Sequence, residues 1–93
     1  MTKNKIKIVT ADMLFDGSIA VFWDRGRWKN TETEILVCST INGDYRSIGK
    51  TKTQCCRIKE PEDVEYVKLI VKNEDGELFI TEPKKINDKK NGK

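Results

Sequence analysis

The chain of 93 residues contains no histidine and only three cysteines and two prolines. Without histidine the commonest general acid–base side chain is missing, and no serine or cysteine lies in a nucleophile motif. No apolar run approaches the roughly 20 residues that a membrane-spanning helix needs. The N-terminus also lacks the apolar segment of a signal peptide. These absences predict a protein that is not an enzyme, has no membrane partner and works in the cytoplasm.

Ligand sets for metals and cofactors are also scarce. Cys55 and Cys56 are adjacent and Cys38 stands apart, so no second cysteine pair completes a zinc site. The segment GDYRSIGK lacks the spacing of a phosphate-binding loop, and NEDGE is too short for a calcium loop. We therefore expect no cofactor and no metal. We interpret the three cysteines as small buried thiols, which pack like apolar residues.

Positive charge is concentrated near the C-terminus. Residues 84–93 contain five lysines and one aspartate, a balance of +4. Subtracting this from the total of +3 leaves −1 for residues 1–83, so the basic character does not belong to the body of the chain. The share of charged residues, 35%, is high for a globular protein but below the range of a disordered chain. We expect a folded domain over residues 1–83 and a flexible basic tail over 84–93.

Apolar and polar residues alternate along several short segments, the pattern of a strand with one buried face. In SIAVFW the alternation places Ile19, Val21 and Trp23 on one side. In VEYVKLIVK it places Val67 and Leu69 together. The runs predict about seven strands, near residues 4–10, 18–24, 33–41, 44–49, 53–59, 65–72 and 77–82. No segment predicts a convincing helix.

Glycine-bearing turns separate these strands at FDGS (15–18), INGD (41–44) and NEDGE (73–77). The Asn-Gly pair of INGD predicts a two-residue hairpin, because both of its residues tolerate a positive φ. Short strands at this spacing predict a single all-β domain, an antiparallel sandwich of two sheets. A small β-barrel of five or six strands, of the oligonucleotide-binding or SH3-like kind, is the alternative.

The order of these features resembles a fibronectin type III or related immunoglobulin-like domain. SIAVFWD resembles the second strand of that family, which ends in a core tryptophan, here Trp23. TETEILVCST and INGDYRSIG resemble the third strand and its short hairpin partner. VKLIVKNEDGE resembles the sixth strand and the turn before the last strand. The resemblance covers roughly residues 4–82 and implies an immunoglobulin-like sandwich.

The segment FWDRGRWK (22–29) is the most distinctive stretch of the sequence. Gly26 permits a turn after Trp23, which leaves the position of Trp28 open. Trp28 either folds back over the core or projects as a contact residue with Arg25 and Arg27. Tryptophan and arginine are enriched among the residues that dominate protein interfaces.

A second basic stretch, residues 46–59, contains no acid. It either protects an exposed strand edge or joins the first segment in a basic patch. The candidate binding residues are Arg25, Arg27, Trp28, Lys29, Tyr45, Arg46, Lys50 and Lys52. We expect a non-catalytic protein-binding module, such as a small bacterial or phage accessory or inhibitor protein, whose partner is a protein with an acidic surface.

Two other kinds of partner stay open at this stage. A single-stranded nucleic acid would stack on Phe22, Trp28 and Tyr45 while the basic residues follow its phosphates. Self-association through an exposed strand edge is the other alternative.

Overall fold

The computed structural model describes residues 6–59 and 63–87, and within them it contains strands and turns but no helix. The eight strands are β1 (Lys7–Met13), β2 (Ile19–Asp24), β3 (Glu32–Cys38), β4 (Arg46–Thr51), β5 (Cys55–Ile58), β6 (Tyr66–Lys72), β7 (Leu78–Ile80) and β8 (Lys84–Lys85). One sheet has the order β1-β2-β5. The other has the order β4-β3-β6-β7, and β8 also pairs with β6. Nowhere in these residues is there a helix with the length and apolar character to cross a membrane.

The two sheets pack face to face and every pair of named strands is antiparallel. Within the described ranges the sheets are linked at their edges only by one parallel bridge, between Asp12 of β1 and Asn87 after β8. β4 and β5 end their respective sheets without pairing with each other. The predicted all-β sandwich is therefore confirmed, and the closed-barrel alternative is wrong.

Alternation along each strand sends every second side chain into one core. Ile19 and Val21 of β2 are 0% exposed, and Trp23 is 3% exposed. The core cluster consists of Ile6, Ile8, Ala11, Ile19, Val21, Trp23, Ile35, Val37, Ile58, Val64, Val67, Leu69, Val71 and Ile86. The inward faces predicted for the second and sixth strands are thus confirmed.

The first strand differs most from its prediction. It runs over Lys7–Met13 instead of residues 4–10, of which 4 and 5 lie outside the described part of the chain. Val9 is an extra residue opposite β2, since the register shifts between Ile8 and Thr10. Such a bulge reverses which later residues face inward, so Ala11 is buried. The sequence of this segment gives no signal that Val9 forms a bulge.

The turn predicted at INGD forms differently. The connection between β3 and β4 spans residues 39–45, and neither Asn42 nor Gly43 has a positive φ. The N–H of Gly43 instead donates to the carbonyl of Thr40 at 3.3 Å. A Cβ at Gly43 would overlap the Thr40 hydroxyl and the Cys38 thiol. The predicted two-residue hairpin is wrong, and the glycine is needed here for close approach.

The chain remains part of the fold beyond residue 83. Lys84 and Lys85 form β8, and Ile86 is buried in the core. The N–H of Ile86 donates to the carbonyl of Glu65 at 2.8 Å. Residues 84–86 of the predicted tail of 84–93 therefore belong to the sandwich, because the side chain of Ile86 is buried in the core. Residues 88–93 lie outside the described residues.

Two buried threonine hydroxyls in this core differ in their hydrogen bonding. The N–H of Leu69 donates to Thr81 Oγ1 at 3.0 Å, where a regular ladder would use a carbonyl. The N–H of Thr81 donates in turn to the carbonyl of Leu69 at 3.0 Å. Thr33, in contrast, is fully buried, and its Oγ1 has no partner among the described residues.

Replacing these two threonines by valine should change stability in opposite directions. Thr81→Val leaves the buried Leu69 N–H unpaired and should lower the free energy of unfolding by roughly 2 kcal/mol. Thr33→Val replaces a buried hydroxyl without a partner by a methyl group and should raise it by about 1 kcal/mol. Urea unfolding measures both values. Thr81→Ser, which keeps the hydroxyl, is the control. A loss of stability in Thr33→Val would show that its hydroxyl has a partner.

Candidate functional site

The candidate residues predicted from the sequence lie at both ends of the sandwich and along β4, which runs between them. Arg25, Arg27, Trp28 and Lys29 lie in the connection between β2 and β3. Tyr45, by contrast, precedes β4 next to the far end of β3. The seven residues of β3 separate the two ends by roughly 20 Å at about 3.4 Å per residue. The predicted residues are therefore spread along the length of the sandwich and are not gathered at one end.

Local hydrogen bonds shape the β2–β3 connection. The N–H of Gly26 donates to Asp24 Oδ1 at 2.8 Å, and Gly26 has a φ of 65°. That φ lies in the left-handed region, where a side chain is strained. The N–H of Trp28 then donates to the carbonyl of Arg25 at 3.3 Å. The turn predicted at DRGR is confirmed, and it places Trp28 two residues beyond Gly26.

The β6–β7 turn lies beside this connection. In it Asn73 Oδ1 accepts the N–H groups of Asp75 and Glu77, at 3.0 and 2.9 Å. The side-chain amide of Asn30 donates to a carboxylate oxygen of Glu74, which ties the two segments together. A shallow cleft opens between them, which we call the two-loop cleft; its lining residues are Arg27, Trp28, Lys29, Asn73, Glu74 and Asp75.

The two-loop cleft contains charges of both signs. Arg27 and Lys29 are exposed on one wall, and Glu74 and Asp75 are exposed on the other. The acidic wall was not evident from the sequence, because the two segments lie more than 40 residues apart in the chain. The sequence indicated only that NEDGE, which contains Glu74 and Asp75, forms a turn.

Trp28 has features of both positions that the sequence left open, one packed over the core and one available for contact. It is partly buried and packs against the core cluster, and it also lines the two-loop cleft. Trp28 therefore contributes both to the packing of the core and to the lining of the cleft. An aromatic side chain fixed in this way offers apolar contact area at little cost in conformational entropy.

Tyr45 is engaged within its own chain. Its hydroxyl donates to the carbonyl of Ile41 at 2.9 Å, and Lys68 Nζ lies 4.3 Å from its ring centroid. Burial raises the pKa of the Tyr45 phenol, with smaller contributions from Cys38 and Tyr66. These contacts close the β3–β4 connection, so Tyr45 has a role in the fold that its sequence context did not reveal.

The basic residues of β4 lie along a sheet edge. In the part of the chain that the structure describes, β4 pairs only with β3, and its side chains are exposed from Arg46 to Lys50. Lys50 lies opposite Glu34 of β3, an opposite-charge pair across the sheet. Lys52 follows β4 at the same end of the sandwich as the two-loop cleft. This placement fits edge protection, in which lysine discourages the addition of a further strand.

The cysteines differ in exposure, which corrects the prediction of three buried thiols. Cys38 is buried and Cys56 is partly buried, whereas Cys55 is exposed on the outer face of the β1-β2-β5 sheet. Alternation along β5 explains the contrast, since neighbouring side chains point to opposite faces. Burial raises the pKa of Cys56 to about 11, and the Coulombic effect of Cys55 adds to the shift.

Alkylation at pH 8 should therefore modify a single cysteine rapidly. Cys55 is exposed, whereas a Cys56 pKa of about 11 leaves roughly one part in a thousand as the reactive thiolate. Mass spectrometry after iodoacetamide treatment should find the first adduct on Cys55, and Cys55→Ser should remove this fast phase. Cys56 should react faster as the pH rises towards 11. Equal rates at Cys55 and Cys56 would contradict the geometry.

The aromatic residues considered for base stacking do not converge. Phe22 is 51% exposed on the outer face of the three-stranded sheet, opposite Cys55 of β5. Trp28 lies at one end of the sandwich and Tyr45 lies at the other. Over residues 6–59 and 63–87, no three histidine, cysteine, aspartate or glutamate side chains group in a way that could hold a metal ion.

No protein-family model matches the chain, and no curated protein or solved structure is similar enough to count as a match.

Proposed function

We propose that this chain is a non-catalytic protein-binding module built on an immunoglobulin-like sandwich of the fibronectin type III kind. The segments that carry the resemblance supply β2, β3, β4 and β6. Trp23, the residue matched to the core tryptophan of the second strand, is buried at the end of β2. These correspondences support the family likeness.

The single observation that carries the binding function is the composition of the two-loop cleft. A partly buried tryptophan lines the cleft together with exposed arginine and lysine of its own loop and exposed carboxylates of the neighbouring turn. Protein interfaces commonly surround an aromatic anchor with a charged, solvent-accessible rim. A protein partner with an acidic group facing Arg27 and Lys29, and a basic group facing Glu74, fits this arrangement.

The same cleft argues against single-stranded nucleic acid as the ligand. Glu74 and Asp75 stand next to the basic side chains and would repel phosphates. Binding of single strands also relies on aromatic side chains arranged along one groove. Trp28 and Tyr45 lie at opposite ends of the sandwich, and Phe22 lies on the outer face of the three-stranded sheet.

We also propose that the protein is located in the cytoplasm and comes from a bacterium or a phage. Cys38, Cys55 and Cys56 are all free thiols. Free thiols suit a reducing compartment, whereas disulfides accumulate in secreted proteins.

Charge reversal at the two-loop cleft tests the proposed function. Arg27→Glu combined with Lys29→Glu places two further acids beside Glu74 and Asp75. Partners captured from a bacterial lysate by the immobilised chain are identified by mass spectrometry. The affinity of the specific partner should fall by about tenfold or more in the double variant, since loss of a hot-spot residue costs about 2 kcal/mol or more and about 1.4 kcal/mol is already tenfold.

The matched control is Lys59→Glu with Lys85→Glu, which changes the net charge equally at the opposite end of the sandwich. The control should retain the partner with unchanged affinity. Equal loss in both double variants would indicate a non-specific charge effect, and unchanged binding in the cleft variant would refute the site. A parallel titration of tryptophan fluorescence with single-stranded DNA should be flat. A signal that weakens steeply with salt would instead favour nucleic acid.

A further inference from the structure

Residues 84–87, the last that the structure describes, cross from one sheet to the other. Lys84 and Lys85 form β8 and pair with the beginning of β6, in the five-stranded sheet. Asn87 forms the parallel bridge to Asp12 of β1, in the three-stranded sheet. We call these four residues the latch, because this bridge is the only pairing that links the two sheets in the described chain.

Backbone hydrogen bonds hold the latch to both sheets. The N–H of Ile86 donates to the carbonyl of Glu65, next to β6, at 2.8 Å. The N–H of Asn87 donates to the carbonyl of Ala11 at 2.8 Å, and the carbonyl of Asn87 accepts the N–H of Met13 at 2.9 Å. The latch therefore satisfies backbone groups on the edges of β1 and β6 that their neighbours β2 and β3 do not reach.

A single side chain of the latch lies in the core. Ile86 is 7% exposed, whereas Lys85 and Asn87 are exposed and Lys84 is half-buried. The strands β2 and β6, in contrast, each bury three apolar side chains. Segments with few buried apolar contacts open most easily in a native protein, so the latch should open more readily than either of these strands.

Open grooves flank the latch on two sides. One groove lies between the latch and residues 9–12 of β1. The other lies between the beginning of β1 and the segment that leads from β7 into Lys84. Solvent therefore reaches the latch along its length, and hydrogen bonds that border solvent are typical of regions that open locally.

The chain is fixed to β6 shortly before the latch begins. The N–H of Thr81 donates to the carbonyl of Leu69, and Thr81 Oγ1 accepts the N–H of Leu69, both at 3.0 Å. Thr81 is also buried. Glu82 is exposed, and Pro83 has no N–H with which to continue the pairing. The latch can therefore detach at residues 82 and 83 while the bonds of Thr81 stay in place.

We propose that the latch opens as one unit while both sheets stay folded, and that its opening uncovers the edges of β1 and β6 that it occupies. An open latch exposes the carbonyls of Ala11 and Glu65, the N–H of Met13 and the space that Ile86 fills. Unpaired backbone groups on an edge are a template for a further strand, and proteins commonly cover them with another segment. The latch thus controls access to these edges, independently of the function proposed for the two-loop cleft.

Hydrogen exchange of the full chain, followed by NMR at urea concentrations below the unfolding transition, tests this proposal. The amides of Met13, Ile86 and Asn87 should have protection factors that agree within about threefold. These factors should lie about tenfold or more below those of Trp23 and Leu69, which represent the two sheets. Urea should hardly change the protection of the latch amides, because opening four residues exposes little surface. It should steeply lower that of the two sheet amides.

Ile86→Ala should lower the protection factors of Met13 and Asn87 by about tenfold or more, because the closed latch loses most of its buried apolar side chain. The control Ile80→Ala shortens an isoleucine that is 59% exposed on β7 and should leave both factors unchanged. If Ile86→Ala fails to fold, the urea series on the unmodified chain decides alone. Latch amides without protection, latch amides as sensitive to urea as the two sheet amides, or unchanged exchange in Ile86→Ala would overturn the proposal.

Discussion

Burial of the inward-facing side chains of β2, β3 and β6 holds the two sheets together. Val21, Val37 and Leu69 are each 0% exposed, and each contributes about 1.5–3 kcal/mol relative to an exposed position. This burial fixes the face that each strand turns inward, because a slip by one residue would expose the whole apolar set. The loops and edges that carry the proposed functions are positioned by that requirement.

The ends of the sandwich are ordered by polar contacts. Asp24 and Asn73 each bind backbone N–H groups two residues further along the chain, and these bonds fix two separate turns. Asp16 does the same in the β1–β2 turn, where hydrogen bonds from Ser18 lower the pKa of its carboxyl group. The Asn30–Glu74 contact then joins the β2–β3 connection to the β6–β7 turn. Opposite charges meet there because the antiparallel pairing of β3 with β6 brings the start of one strand to the end of the other.

The two edges of the five-stranded sheet have different compositions. β4 carries Arg46 and Lys50 along its exposed length, a composition that opposes further pairing. β7 carries Leu78 and Ile80 instead, and its only charges lie at its ends. The interruption at Thr81 and Pro83 keeps β7 to three residues, which limits how far a second strand can extend along it. The exposed edge of β4 therefore carries more charge along its length than that of β7.

The sequence by itself determined the all-β class, the seven main strands and the residues of β2 and β6 that face inward, because alternation is a local property of the chain. It also located the turns at FDGS and NEDGE. In each of them an aspartate or asparagine side chain accepts a hydrogen bond from a backbone N–H two residues further along. The bulge at Val9, the burial of Ile86 and the shape of the INGD turn depended on neighbours distant in sequence. The basic segment at Arg27 was evident from the sequence, but its acidic counterpart at Glu74 was not. That β7 has β6 as its only partner within residues 6–59 and 63–87 was decided by tertiary structure, because strand order follows from the packing of whole sheets.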